Sequence, residues 1–306
     1  SLCKSTIIPQ ATWTRIHFVR TVVAWFATLM MQPTVLAIQI LQFFQYETIS
    51  KYMVSNKLVI NDDKTHLLVL GTKSTKAKRD QVSLQAGVHT IQPSKTEKLL
   101  GCEISDDLKW KHHILGSEQS MVKQLTSRIN GLSLVSQRAD FNTRLMVANG
   151  IVVSKLCYLI QLWGGCEGYL IHSLQVLQNR AARSVTGLSG STSTKRLMVA
   201  CNWLSVKQMV VYHTVTMVYQ TLKTGSPTYL NSRLSTAHPY RTRQFSSGSI
   251  RQDESFKCQS SLPSASLRYR GSIEYNRIPP DIRAAPNIST FKRKLRQWVK
   301  SNISLE

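Results

Sequence analysis

Acidic side chains are scarce in this chain. Sixteen Asp+Glu stand against 39 Lys+Arg in 306 residues, a formal charge of +23 at pH 7. A compact chain with that surplus repels itself unless a polyanion lies against it, so nucleic acid or an anionic membrane surface is the first partner to consider. Cysteine is also sparse. Cys3, Cys102, Cys157, Cys166, Cys201 and Cys258 are scattered, with no CxxC pair and no Cys/His cluster at zinc-finger spacing. They read as reduced, mostly buried thiols of an intracellular protein, nuclear or cytoplasmic. A glycine-rich phosphate loop, a Walker-type lysine and a Ser/His/Asp arrangement are all missing, so motifs of that kind propose no enzyme class. His112-His113 and His238 lack partners at ligand spacing, which argues against a metal there. What is present is 42% apolar residues over a length that allows one or two domains with a real core.

No apolar run spans a bilayer cleanly. Thr21 to Tyr46 carries no charge and is preceded by Arg15 and Arg20, as a signal anchor would be, but Pro33 interrupts it and Gln32, Gln39, Gln42 and Gln45 dilute it. Each apolar piece is then shorter than the roughly 20 residues a membrane helix requires. A buried or non-native apolar segment is the preferred reading of residues 1–48, with a membrane-anchored protein spanning near 21–46 as the alternative.

Beyond Glu47 the pattern becomes that of a folded α+β chain. Leu58-Val59-Ile60, Leu67-Leu68-Val69-Leu70-Gly71 and Leu99-Leu100-Gly101-Cys102-Glu103-Ile104 are short β-rich runs, expected to form the end of a small antiparallel sheet. The Lys/Thr/Ser-rich Thr72 to Arg79 reads as a solvated connection. From Trp110 to Leu222 the period is helical: Met121, Leu125, Ile129 and Leu132 recur on one face, and Leu145 to Leu162, Leu174 to Val185 and Val206 to Leu222 follow. Gly131, Gly164-Gly165 and Gly187 fall where such helices would stop. Ser226 to Ser266 is expected to be irregular. Ser289 is then placed to cap a last helix with Phe291, Leu295, Trp298 and Val299 as its apolar stripe. Lys292, Arg293, Lys294, Arg296 and Lys300 lie mostly off that stripe.

Several segments, in a fixed order, resemble one family. Tyr52-Met53-Val54-Ser55-Asn56-Lys57-Leu58-Val59-Ile60-Asn61-Asp62-Asp63-Lys64-Thr65 is similar to motif D of the reverse transcriptases of non-LTR (LINE-type) retrotransposons. Lys98 to Ile104 with Leu108-Lys109-Trp110 and His113-Ile114 is similar to their primer-grip hairpin and the entry into the thumb. Leu177-Gln178-Asn179-Arg180-Ala181-Ala182-Arg183 resembles a thumb helix, and His238-Pro239-Tyr240-Arg241-Thr242-Arg243 a motif downstream of it. The resemblance spans Ile49 to Val299. It implies the C-terminal part of an RNA-directed DNA polymerase: a palm remnant over 49–108, a helical thumb over 109–225, and a basic linker with a terminal helix over 226–306.

The resemblance stops short of catalysis. The family's polymerisation needs carboxylates that hold two Mg²⁺ ions, two of them from a Tyr-x-Asp-Asp turn before motif D. Ser1 to Asn61 contains one acidic residue, Glu47. Asp62-Asp63 sits inside the Asn-Asp-Asp-Lys-Thr motif and reads as a pair of solvated turn carboxylates. No catalytic residue is therefore assigned. Met30-Met31-Gln32 requires the codons ATG ATG CAR, and a shift of two nucleotides gives xAT GAT GCA, which permits Asp-Asp-Ala. Ser1 to about Gln45 is accordingly read as an out-of-frame translation of a decayed palm, with the ancestral frame regained near Tyr46.

The partner the resemblance and the charge share is the backbone of RNA or DNA. Lys64 corresponds to the motif D lysine near the incoming nucleotide's phosphates, and without metal carboxylates it has no reaction to assist. Lys98, Lys109 and Lys111 surround the primer-grip-like hairpin and are candidates for template-primer phosphates. Arg180 and Arg183 share a helical face from which they could reach a groove, although Arg180 could equally make a structural pair. Arg241, Arg243, Arg251, Arg268, Arg270, Arg277 and Arg283 are spaced irregularly, which suits sequence-independent phosphate contacts. Trp163, Trp203 and Trp298 are candidates to stack on bases, but their apolar helical surroundings favour core packing. A non-catalytic nucleic-acid-binding module adopted by a host is the further alternative.

Overall fold

Short leucine- and valine-rich runs give way to helical periodicity at Trp110, and the chain divides there. In the computed structural model residues 22–26, 47–58, 61, 65–70, 80–86, 89–232, 234, 250 and 266–304 are described. They fall into two units, Ser1–Leu108 and Lys109–Glu306. The fold is mixed α+β, with the strands in the first unit and the helices mostly in the second.

In the first unit, β1 (Val22–Phe26) pairs parallel with β2 (His66–Leu70), in the register Val22↔His66 to Phe26↔Leu70. A helix, α1 (47–55), lies between them in sequence and ends at Lys57, whose φ is 57°. Two hairpins follow: β3 (Leu84–Ala86) with β4 (His89–Ile91), and β5 (Thr96–Leu99) with β6 (Cys102–Ser105). The second hairpin reverses at Leu100 and Gly101, both at positive φ (49° and 79°), the conformation a tight turn needs to match the twist of its strands. The expected single antiparallel sheet is not formed. β2 takes a parallel partner because Leu67 through Leu70 are all buried, a continuous apolar run rather than a half-exposed alternation. Its link toward the hairpins is a parallel bridge, Leu67↔Pro93, with Ser94 N–H donating to Leu67 O at 2.7 Å. Leu67, Val69, Val82 and Leu84 form the small core of this unit. Val59 and Ile60 lie outside the described residues.

The helical unit is built around one central helix. α2 (Met121–Ser136) buries Met121, Leu125, Ile129 and Leu132 as its spacing predicts. It runs through Gly131 instead of stopping there, because Gly131 is solvent-facing and the apolar register continues to Leu132. Next comes α3 (Phe141–Ala148), whose first turn is capped by Asp140 accepting from Asn142 N–H at 3.1 Å. The single helix expected over Leu145 to Leu162 is widened once and broken once. A widened π turn (Asn149–Val153) leads to α4 (Ser154–Cys157), and Leu159 at φ 51° separates it from α5 (Ile160–Trp163). α6 (Gly168–Thr186) ends where Gly187 adopts φ 70°. α7 (Thr194–Ala200) is capped by Ser193.

α8 (Val206–Thr224) starts with a complete capping box between Ser205 and Gln208, and Val206, Met209, Val210, Val211, Val215, Val218 and Tyr219 are all buried on it. A helix apolar on so many sides must be covered all round. The cover comes from α6 and from the C-terminal part of the chain: after α9 (Thr228–Asn231), α10 (Leu267–Arg277), α11 (Pro280–Arg283) and α12 (Ile288–Asn302) share the same core. Tyr219 stacks on Phe291 at 3.9 Å between ring centroids and 10° between planes, and its hydroxyl donates to Ala285 O at 2.7 Å. α12 is capped not by Ser289 but by Asn287, whose Oδ1 accepts from Thr290 N–H at 2.8 Å. Asn287 is the last residue with extended backbone, so its side chain folds over the first turn, while Ser289 already lies inside the helix.

Two glycines give predictions of opposite sign. A Cβ on Gly131 would meet nothing within 4 Å, so Gly131→Ala is expected to stabilise by about 0.5–1 kcal/mol through helix propensity alone. A Cβ on Gly164 would lie 2.5 Å from Ile160 O and 2.8 Å from Val210 Cγ2, so Gly164→Ala is expected to cost about 1–3 kcal/mol. Urea unfolding of the two variants against the parent checks both signs.

Candidate nucleic-acid interface

The charge is not evenly divided. Residues 109–306 hold 27 Lys+Arg and 8 Asp+Glu, whereas residues 1–108 hold 12 and 8. Even if every carboxylate of the helical unit were paired with one cation, 19 of its cations would be left without a carboxylate partner in the unit. Burying so much self-repulsion in one unit favours a polyanionic ligand.

The thumb-like motif lies on α6, and most of it supports the fold. Leu177, Gln178, Ala181 and Ala182 are buried, and Gln178 Nε2 donates to Leu204 O at 2.8 Å. Asn179 Nδ2 donates to Thr194 Oγ1 at 2.8 Å, tying α6 to the start of α7. Arg180 Nη2 donates to Asn130 Oδ1 on α2 at 2.7 Å, the structural pair that its position allowed. Arg183 is half-buried and reaches Thr192 O at 3.4 Å, with its Nε enclosed and unbonded. The two arginines do share a face: Arg183 is half-buried in the bundle, and Arg180 is exposed with one donor on Asn130.

The other sequence candidates separate. Lys98 is exposed on β5 with Glu103 as its register partner across the hairpin. Lys109 and Lys111 are exposed at the start of the second unit. Lys64, Arg241, Arg243 and Arg251, together with Asp62-Asp63 and His238, lie outside the described residues. Of the irregularly spaced arginines, Arg268, Arg270, Arg277 and Arg283 lie on helices. Arg270 on α10 donates to Gln161 O at 2.7 Å, Arg277 pairs with Glu274 at 3.2 Å, and Arg283 is buried with its guanidinium 5.9 Å from the Tyr275 ring centroid. Arg270 thereby ties α10 to α5, whereas Arg277 pairs within its own helix.

A set of cations that motif reasoning did not select comes together on α12. Lys292, Arg296 and Lys300 recur at i, i+4 and i+8 and form one row beside the buried stripe Phe291, Leu295 and Val299. Arg296 Nη2 donates to Asn202 O at 2.7 Å and Lys300 Nζ donates to Asn202 Oδ1 at 2.5 Å. Asn202 follows α7 in the left-handed conformation, φ 53°, which turns its carbonyl and its side chain to the same neighbour. None of the three cations forms an ion pair among the described residues. Burial lowers the pKa of Lys300, and the Arg296 charge beside it lowers it further. Burial likewise holds His213 below the usual histidine range, and Lys292 adds to that. The sequence signal was the four-residue spacing of three basic residues. What was invisible was Asn202, 94 and 98 positions away.

The three tryptophans considered for base stacking pack within the fold. Trp163 is fully buried with its indole N–H on Tyr158 O at 2.9 Å, Trp203 is buried with its N–H on Asn149 Oδ1 at 2.8 Å, and Trp298 is half-buried against the core. Cys102, Cys157, Cys166 and Cys201 form no disulfide. Burial pushes Cys166 up to about 12, with Glu167 contributing, and Cys201 up to about 11, which makes both poor nucleophiles.

Among the described residues, those present do not fit the metal pair of a polymerase, and Asp62-Asp63 lie outside them. Glu47 is taken up by Lys51 at 2.8 Å on α1, and among the described residues no group of three or more His, Cys, Asp or Glu side chains could hold a metal ion. Among the described residues no helix is long and apolar enough to cross a membrane; most of residues 21–46 lies outside them. Compared with known proteins, the chain matches no family model, no curated sequence and no solved structure.

Proposed function

We propose that the chain is a nucleic-acid-binding remnant of a non-LTR retrotransposon reverse transcriptase, in which the helical unit retains backbone binding and the polymerase chemistry is lost. The observation that carries the binding is the surplus of 19 basic over acidic residues within 109–306. The ancestry rests on the ordered motifs from Tyr52 to Arg243, and the loss of chemistry on the single carboxylate before Asn61. Contacts of this kind are with phosphate, which positions a strand without reading its sequence.

Binding of labelled single-stranded RNA and DNA to the full chain, followed by fluorescence anisotropy from 50 to 300 mM KCl, tests the reading. The expected log affinity falls linearly with log salt, by about 0.7 per phosphate neutralised, with little preference among base compositions. Binding that ignores salt, or primer extension on an RNA template with Mg²⁺, would count against it.

A further inference from the structure

The row on α12 has three properties that together define a ligand. Its charges are uncompensated, because Lys292, Arg296 and Lys300 form no ion pair among the described residues. It is preorganised, because two of its members are held by the two oxygens of Asn202 rather than left to rotate freely. Each anchor also consumes only one donor. Arg296 offers five N–H groups and Lys300 three, so most remain for a second acceptor beside Asn202. Two cations set on one neutral residue, with no carboxylate between them, make a place for an anion with several oxygens, and phosphate meets that requirement.

We propose that Lys292, Arg296 and Lys300 of α12, with Asn202 as their anchor, are a binding site for the phosphodiester backbone of single-stranded nucleic acid. The assignment rests on the nucleic-acid reading above and gives it a location. Residues 292 to 300 cover about 12 Å along the helix axis, more than one phosphate group occupies and suited to successive phosphates of a strand. A membrane surface fits less well. Interfacial helices insert an apolar face beside their cationic one, whereas Phe291, Leu295 and Val299 are fully buried against α8 and cannot leave it without opening the core. The flanking aromatics, Tyr212 and His213, are half-buried and stacked edge-to-face at 5.2 Å, so bases have no exposed ring in this row to stack on. The site therefore holds backbone and does not discriminate bases.

The experiment compares the full chain with two triple variants that lose the same charge: Lys292→Gln/Arg296→Gln/Lys300→Gln on α12, and Lys123→Gln/Arg138→Gln/Lys223→Gln elsewhere on the helical unit. The probes are fluorescein-labelled U20 RNA and T20 DNA in 50–300 mM KCl, and unchanged thermal midpoints certify the fold. The α12 variant is expected to lose about 2 from the salt slope, three contacts at about 0.7 each, and about a hundredfold in affinity at 0.1 M salt. The control variant loses under about tenfold. Lys292→Gln alone, whose side chain has no hydrogen bond to the described residues, lowers the slope by about 0.7 and keeps the result independent of the Asn202 anchors. Equal losses in the two triple variants overturn the site while leaving nucleic-acid binding intact. Absence of binding by the parent chain overturns the wider reading as well. Binding to phosphatidylserine vesicles in preference to either oligonucleotide assigns the row to lipid and overturns the proposed occupant.

Discussion

Phe291→Ala is expected to destabilise the helical unit by about 3–5 kcal/mol, the cost of deleting a large buried aromatic and leaving a cavity. Phe291 is fully buried and lies flat on Tyr219 of α8, whose hydroxyl is bonded to Ala285 just before α12. The ring therefore joins the last helix to the central one. A loss of that size is a large fraction of the 5–15 kcal/mol typical of a whole domain. Urea unfolding of the full chain, followed by circular dichroism, measures it. A loss below about 1 kcal/mol would mean that α12 is not docked in the core, and with it the positions of Arg296 and Lys300 on Asn202 would fail. The same variant should therefore also weaken oligonucleotide binding, although it removes no charge.

Trp163→Ala is expected to cost about 3–5 kcal/mol and to leave the salt slope of oligonucleotide binding unchanged in whatever fraction remains folded. Trp163 is fully buried, and its indole N–H satisfies the Tyr158 carbonyl at the break before α5. That break places Leu159 in the left-handed region, φ 51°, which costs a non-glycine residue energy that the Trp163 contact helps to offset. Trp163→Phe keeps most of the ring's volume and loses the hydrogen bond, and is expected to cost about 1–3 kcal/mol for the orphaned carbonyl. Were Trp163 a base-stacking platform, Trp163→Ala would instead reduce affinity at unchanged stability.

Helical periodicity made α2, α6, α8 and α12 readable to within a few residues, since each carries its buried positions three or four apart. Gly187 at the end of α6 was readable for the same local reason: a left-handed cap favours glycine whatever surrounds it. Local pattern failed where a tertiary contact chose between near-equal backbones. The Leu145 to Leu162 run has the composition of one helix, yet Trp163 and the left-handed Leu159 split it. The run Leu67 to Leu70 is apolar at every position, and which strand would pair with it could not be read from the run itself. α10 was missed because its stretch has few apolar residues. It is helical because Gly271 allows close approach to Val218 and because Tyr275 is buried by the bundle.

The sequence by itself determined the charge balance. Net charge is a sum over residues, so the basic surplus follows from composition, and the scarcity of carboxylates before Asn61 follows from a count. Tertiary structure decided which cations are enclosed and which stay at the surface. Arg183, Arg270 and Arg283 have the same chemistry as Arg296, but the bundle encloses them against its own carbonyls and rings. Lys292, Arg296 and Lys300 are left in a row because α12 spends its apolar stripe on α8, and Asn202 arrives from the end of α7 to hold two of them. Spacing along a helix sets which side chains share a face; only the packing of distant segments sets what that face meets.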